Sequence, residues 1–232
     1  MKVGVLLSGC GVYDGSEIHE ATLSLLALDH LGVEVQCIAP DIEQHHVINH
    51  LTGAEIPEKR NVLIESARIA RGKIQALNTV NSDDLDALLL AGGFGAAKNL
   101  STWAFAGADS DILPDVKHLI LTMVHAKKPI AALCIAPTVL AKALQGSDIH
   151  PQLTVGTTTA PSPYDITAIN AGLNSIGAQT IMTTVDGIVI DKTNKIITSP
   201  CYMMEASIAQ VFVGIEKTCT ALIDLVREST TP

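Results

Sequence analysis

A chain of 232 residues that is 47% hydrophobic but only 3% aromatic can bury one core of α/β size, and that core must be aliphatic. A formal net charge of -9 with no basic stripe argues against a nucleic-acid groove or an anionic membrane surface as partner. The cysteines Cys10, Cys37, Cys134, Cys201 and Cys219 are scattered, with neither C-x-x-C nor zinc spacing, so they read as free thiols in a reducing compartment.

The chain enters a strand right after Met1, which leaves no room for a targeting segment, and no apolar run reaches membrane length. A soluble cytoplasmic protein is expected. Lys2 to Leu7 reads as the first strand, and Ser8–Gly15 as a glycine-rich loop. Ser16 is the expected N-cap of a helix over Ile18 to Leu31, ended by Gly32. Val33 to Ala39 completes a βαβ unit, which implies a right-handed crossover and a parallel sheet. Gly9, Gly11 and Gly15 miss the dinucleotide spacing, and acidic residues at the helix start would repel a pyrophosphate. His45, His46 and His50 lie in a polar stretch without a repeated face, so a solvated loop or an interface is expected there and no metal. Asn61 to Arg71 reads as a helix with Val62, Ile64, Ala67 and Ile69 inward, followed by a short strand over Ile74 to Leu77.

Leu85 to Ala91 is an apolar strand that runs into Gly92-Gly93, where the backbone can approach a ligand closely. Asp111 to Lys127 is an expected surface helix with Leu119, Ile120, Met123 and Val124 inward. Pro129 to Leu133 then reads as a strand covered on both faces, and Ile135 to Leu144 as a helix with Pro137 in its first turn. Cys134 sits between them, the position of the nucleophile in a strand–turn–helix elbow. Helix N-terminal amides aimed at the sulfur would favour thiolate. The competing reading is a buried structural cysteine. Leu153 to Gly156 reads as a strand and Asp165 to Ile176 as a helix. Val185–Asp191 and Lys195–Thr198 form an expected edge hairpin, and Met204 to Glu228 a long last helix. One doubly wound domain over residues 1–232 accounts for all of this.

A cysteine nucleophile needs a proton partner and an oxyanion site. The backbone amides of Ile135 and Gly93 are the natural oxyanion donors. Glu17 and Glu20, one turn apart on the first helix, are candidate proton carriers, and His19 lies between them. No histidine directly follows Cys134, so the residues alone show no Cys-His dyad.

The run Leu133 to Leu140 and the glycine turn Ala91 to Leu100 resemble the PfpI-like branch of the class I glutamine amidotransferase-like superfamily. Ser8 to Glu20, Val47 to Gly53 and Asn194 to Pro200 are similar to blocks of the ElbB-type glyoxalases, in the same order. The resemblance implies a flavodoxin-like three-layer sandwich, usually homodimeric. It implies a reactive Cys134, an oxyanion pocket at Gly93 and Ile135, and a glutamate from the first helix touching the thiol, best matched by Glu20 with Glu17 and His19 as further candidates. The implied activity is conversion of glyoxal or small dicarbonyls to glycolate, without metal, glutathione or other cofactor. Two departures stand out: Ile135 replaces the histidine of PfpI-type peptidases, and Thr157 to Thr159 stand where relatives bring an imidazole. The contrasting expectation is a non-catalytic redox-sensing or chaperone-like protein with an oxidisable cysteine.

Overall fold

The computed structural model describes residues 1–230. Its centre is a seven-stranded sheet in the order β3-β2-β1-β4-β5-β9-β8. β1 (Lys2–Leu6) pairs in parallel with β2 (Glu34–Ala39) and with β4 (Ala87–Leu90), so Val3 registers with Val35 on one side and Ala87 on the other. β3 (Ile74–Ala76) continues the sheet past β2, while β5 (Ile130–Leu133) and β9 (Ile196–Ser199) continue it past β4. β8 (Val189–Asp191) runs antiparallel to β9 and forms the edge. β6 (Gln152–Leu153) and β7 (Gln179–Thr180) make a separate two-stranded ribbon.

Every residue of β4 and β5 is buried, which is why both read as unbroken apolar runs without alternation. The helices are α1 (Ile18–His30), α2 (Val62–Ile69), α3 (Trp103–Ala106), α4 (Pro114–His125), α5 (Ala136–Leu144), α6 (Ile166–Ser175) and α7 (Ile208–Thr230). α1 packs against α2 and α7, and α4 against α5, giving the expected three-layer α/β sandwich around a mostly parallel sheet. Leu119, Ile120, Met123 and Val124 of α4 point inward, and all nine residues of α5 are buried. The chain reverses its winding between β1 and β4, and the carboxyl ends there are where an open α/β sheet builds sites.

Several local expectations give way to tertiary contacts. Glu17, not Ser16, caps α1, accepting from Glu20 N–H at 2.7 Å, because the Ser16 hydroxyl accepts from Ser8 N–H at 2.8 Å instead. In α2, Ile64 is exposed and Glu65 is buried, since Glu65 pairs with Arg68 at 2.9 Å and Arg60 at 3.6 Å. α7 starts at Ile208, not Met204, because Glu205 N–H bonds Pro161 O at 3.0 Å and Met203 O accepts from the Ser162 hydroxyl at 2.6 Å. The histidine-bearing loop is tied down by its own contacts: Tyr13 N–H donates to His50 Nε2 at 3.2 Å, and His45, His46 and Phe105 pack ring on ring. Among the described residues no cluster of His, Cys, Asp and Glu could hold a metal.

Candidate active site

Cys134 follows the last residue of β5 and stands with φ at +58°, a left-handed conformation that costs a residue with a Cβ about 1–2 kcal/mol. Two features hold it there. Its N–H donates to Ser199 O at 2.9 Å, and α5 begins two residues later, with Pro137 in the first turn. The side chain is 6% exposed and opens into a cavity of about 230 Å³.

The paired glycines after β4 bring the chain's own groups together rather than clearing room for a ligand. A Cβ on Gly92 would lie 2.3 Å from Glu20 Oε2 and 2.4 Å from Cys134 Cβ. Only a glycine there lets the carboxyl and the cysteine share one space. Gly93, with φ at +95°, would place a Cβ 2.3 Å from Glu17 N. Its amide faces the Cys134 sulfur, and Glu17 N–H donates to Gly92 O at 3.0 Å. The amino-terminal loop is locked on the same turn: Gly95 N–H bonds Gly15 O at 2.8 Å, and Asn99 Nδ2 donates to Ser8 O and Asp14 O at 2.9 and 3.0 Å. The glycine-rich loop is therefore packing material, not a phosphate cradle.

Glu20 is completely buried, and burial followed by the neighbouring Glu17 charge pushes its carboxyl from 4.5 up to about 8. The Cys134 thiol and the Tyr202 and Gly92 backbone pull the other way without prevailing. Oε1 accepts from Tyr202 N–H at 3.3 Å, whereas Oε2 makes no well-formed hydrogen bond. Oε2 is the oxygen beside Cys134. The helix amides that would favour thiolate are opposed by burial. Burial raises the Cys134 thiol well above its ordinary value, the Glu20 and Cys201 charges add to that, and the Gly93 amide only partly offsets them. Burial thus pushes both the thiol and the acid towards their neutral forms.

Cys134, Gly93, Ile135 and Glu17 line the cavity, and Glu20 lies buried beside Cys134 over Gly92. His19 stays outside it: exposed, its Nδ1 meets the Tyr202 hydroxyl at 3.0 Å. His118 and His125 are exposed on α4. Sequence reasoning missed Trp103, Tyr164 and Tyr202, all on the cavity wall. The available signal was rarity, since aromatics are only 3% of the chain. Tyr202 enters from the turn after β9, which also carries Cys201 at a left-handed φ of +46°.

A cysteine at the elbow of a doubly wound sheet, beside a glycine turn from the neighbouring strand, defines the class I glutamine amidotransferase-like fold. Within it the chain belongs to the DJ-1/PfpI family, whose profile matches residues 10–200. It is 42% identical over 228 residues to the human glutamine amidotransferase-like class 1 domain-containing protein 3, mitochondrial, covering 97% of this chain and 83% of that one. It is 41% identical to the rat ES1 protein homolog, mitochondrial, covering 97% and 84%. The crystal structure of an isoprenoid biosynthesis protein with amidotransferase-like domain from Ehrlichia chaffeensis superposes with a TM-score of 0.88 at 32% identity, covering 97% of this chain and 99% of that one. No helix among the described residues is long and apolar enough to cross a membrane.

Proposed function

We propose that the protein is a cofactor-independent glyoxalase that converts glyoxal and related small dicarbonyls to hydroxy acids such as glycolate. The observation that carries this reading is the crowding of Glu20 Oε2 and Cys134 over Gly92. A buried acid near neutrality beside a thiol is a base for adding that thiol to a carbonyl. In its ionised form, Glu20 takes the thiol proton as sulfur bonds to the aldehyde carbon. It returns that proton to the oxyanion, which the Gly93 and Ile135 amides hold, and a hemithioacetal results. Glu20 then removes the proton on that carbon, passes through an enediol, and delivers a proton to the neighbouring carbon. The product is a thioester of the hydroxy acid. Water adds to it, the carbon–sulfur bond breaks, and the thiol regains its proton. One carbon is oxidised and its neighbour reduced, so no external electron carrier enters.

An oxidation sensor would need a low-pKa thiolate open to solvent. Cys134 is only 6% exposed and burial pushes its thiol up, which favours the enzyme. The reading includes a homodimer, checked by light scattering, and residence in a reducing compartment, the cytoplasm, suited to five free cysteines and checked by fractionation. The direct test measures glycolate formed from glyoxal without glutathione by the wild type, Cys134→Ala and Glu20→Gln. Both variants should lose the activity, and equal rates in wild type and Cys134→Ala would refute the mechanism.

A further inference from the structure

The cavity is built for more than glyoxal. At about 230 Å³ it has room for roughly seven waters, taking about 30 Å³ for each, whereas glyoxal would fill only the end at the sulfur. Cys134, the Gly93 backbone and Glu17 supply polar groups to its lining. The rest of the lining is mostly apolar and rich in aromatic residues. The chain has three Phe, three Tyr and one Trp, and four of these seven, Phe94, Trp103, Tyr164 and Tyr202, line this one cavity. Trp103 belongs to an otherwise largely aliphatic core, and Tyr164 and Tyr202 pack against that core while also facing the cavity. The wall is also held in shape. Phe94 and Tyr164 meet edge to face at 5.9 Å, and the Trp103 ring lies so close to α6 that a Cβ on Gly172 would sit 3.2 Å from it.

Charge narrows the ligand further. Among the described residues the cavity is lined by no cation, and Glu17 is its one ionisable carboxyl. Lys98 lies over the Phe94 ring at 5.3 Å, but it donates to Tyr13 O at 2.9 Å and is not part of the wall. A substrate carboxylate would be buried without a counterion, at high cost.

We propose that the preferred substrate is a neutral 2-oxoaldehyde whose ketone carbon carries an aryl or branched-alkyl group, seated in this aromatic chamber. The proposal rests on the glyoxalase reading and assigns its substrate class. The aldehyde carbon meets Cys134, the ketone oxygen stays with the polar groups beside it, and the apolar group displaces water from the chamber. The net change is addition of one water to R–CO–CHO, giving R–CHOH–COOH. On ionising, the product becomes an anion beside Glu17 with no cation to hold it, which promotes release.

The test compares kcat/KM for phenylglyoxal and glyoxal in the wild type, Trp103→Ala and Ala104→Phe. A single methylene in an apolar pocket is worth about 10-fold or more, so phenylglyoxal should be favoured by at least about 10-fold. The ratio should fall towards one when Trp103 is removed, and also when Ala104, exposed at the cavity wall, is enlarged to fill the chamber. Equal or glyoxal-favoured turnover in the wild type overturns the substrate class while leaving the thiol mechanism in place. Loss of both activities in the wild type overturns the glyoxalase reading and this proposal with it. The chamber itself is read separately, from alkylation of Cys134 by 2-bromoacetophenone and by iodoacetamide, each rate taken relative to glutathione. Selectivity for the aryl reagent that Ala104→Phe abolishes supports an aromatic binding chamber, and its absence overturns it.

Discussion

Replacing Glu20 with Gln keeps the shape of the side chain and removes its ionisation, so it isolates what the buried acid does to stability. In the unfolded chain the carboxyl has its ordinary pKa of 4.5, and in the fold it reaches about 8. Between those values the native state binds a proton that the unfolded state has released. Unfolding is therefore favoured progressively as pH rises, by about 1.4 kcal/mol per pH unit. Below the lower value both states are protonated and the full stability is present. Above the upper value both are ionised and the loss is complete, at about 5 kcal/mol for a fully buried group. Urea unfolding from pH 4 to 9 should show the wild type falling relative to Glu20→Gln across this window and running parallel to it on either side. Parallel curves throughout would mean that Glu20 is not a buried neutral acid, and the proton inventory of the site would fail.

The same ionisation sets the rate. kcat/KM for dicarbonyl should rise about tenfold per pH unit up to about 8 and then level, because the base is the ionised minority below that point; a profile flat from pH 6 to 9 would exclude Glu20 as base. Gly92→Ala inserts a Cβ between Glu20 Oε2 and Cys134 Cβ, so it should cost about 1–3 kcal/mol in urea unfolding and as much activity as Glu20→Gln. Wild-type rates in that variant would show that the two groups do not share the space. Asn99→Ala removes bonds to Ser8 O, Asp14 O and the His45 amide at 2.9, 3.0 and 2.9 Å, leaving buried backbone groups unpaired. It should lower the unfolding free energy by about 2–4 kcal/mol, visible as a shifted urea midpoint.

What the sequence made legible follows from how locally each feature is encoded. β4, the glycine turn and the elbow are each contiguous in the chain, and unbroken apolar runs ending in glycine or cysteine mark them. The contacts that finish the site are not contiguous. Tyr202 meets Glu20 across 182 residues, and Trp103 rests on Gly172. No period or spacing records such meetings. Short elements such as β7, two residues long, give no periodic signal either. The N-cap of α1 went to Glu17 because Ser16, the better intrinsic cap, is held by Ser8. There a single tertiary hydrogen bond outweighed local preference.

At Cys134 a local electrostatic argument meets an opposing effect of tertiary structure. Helix amides stabilise a nearby anion by about 0.3–1 kcal/mol, and up to about 2 in partly buried geometry. Full burial can move a pKa by about 3–5 units, at about 1.4 kcal/mol per unit. Burial therefore wins at a cysteine 6% exposed, and the adjacent acid adds to it. The local pattern around Cys134 carries the helix amides but not the burial, which depends on β9, Glu20 and Tyr202 arriving from elsewhere. A protonated thiol attacks a carbonyl only when a base takes its proton in the same step. Glu17 cannot serve as freely, since one of its oxygens already caps α1 at 2.7 Å. Glu20, neutral at rest but ionised near pH 8, is positioned to do so, and its burial is what sets that value.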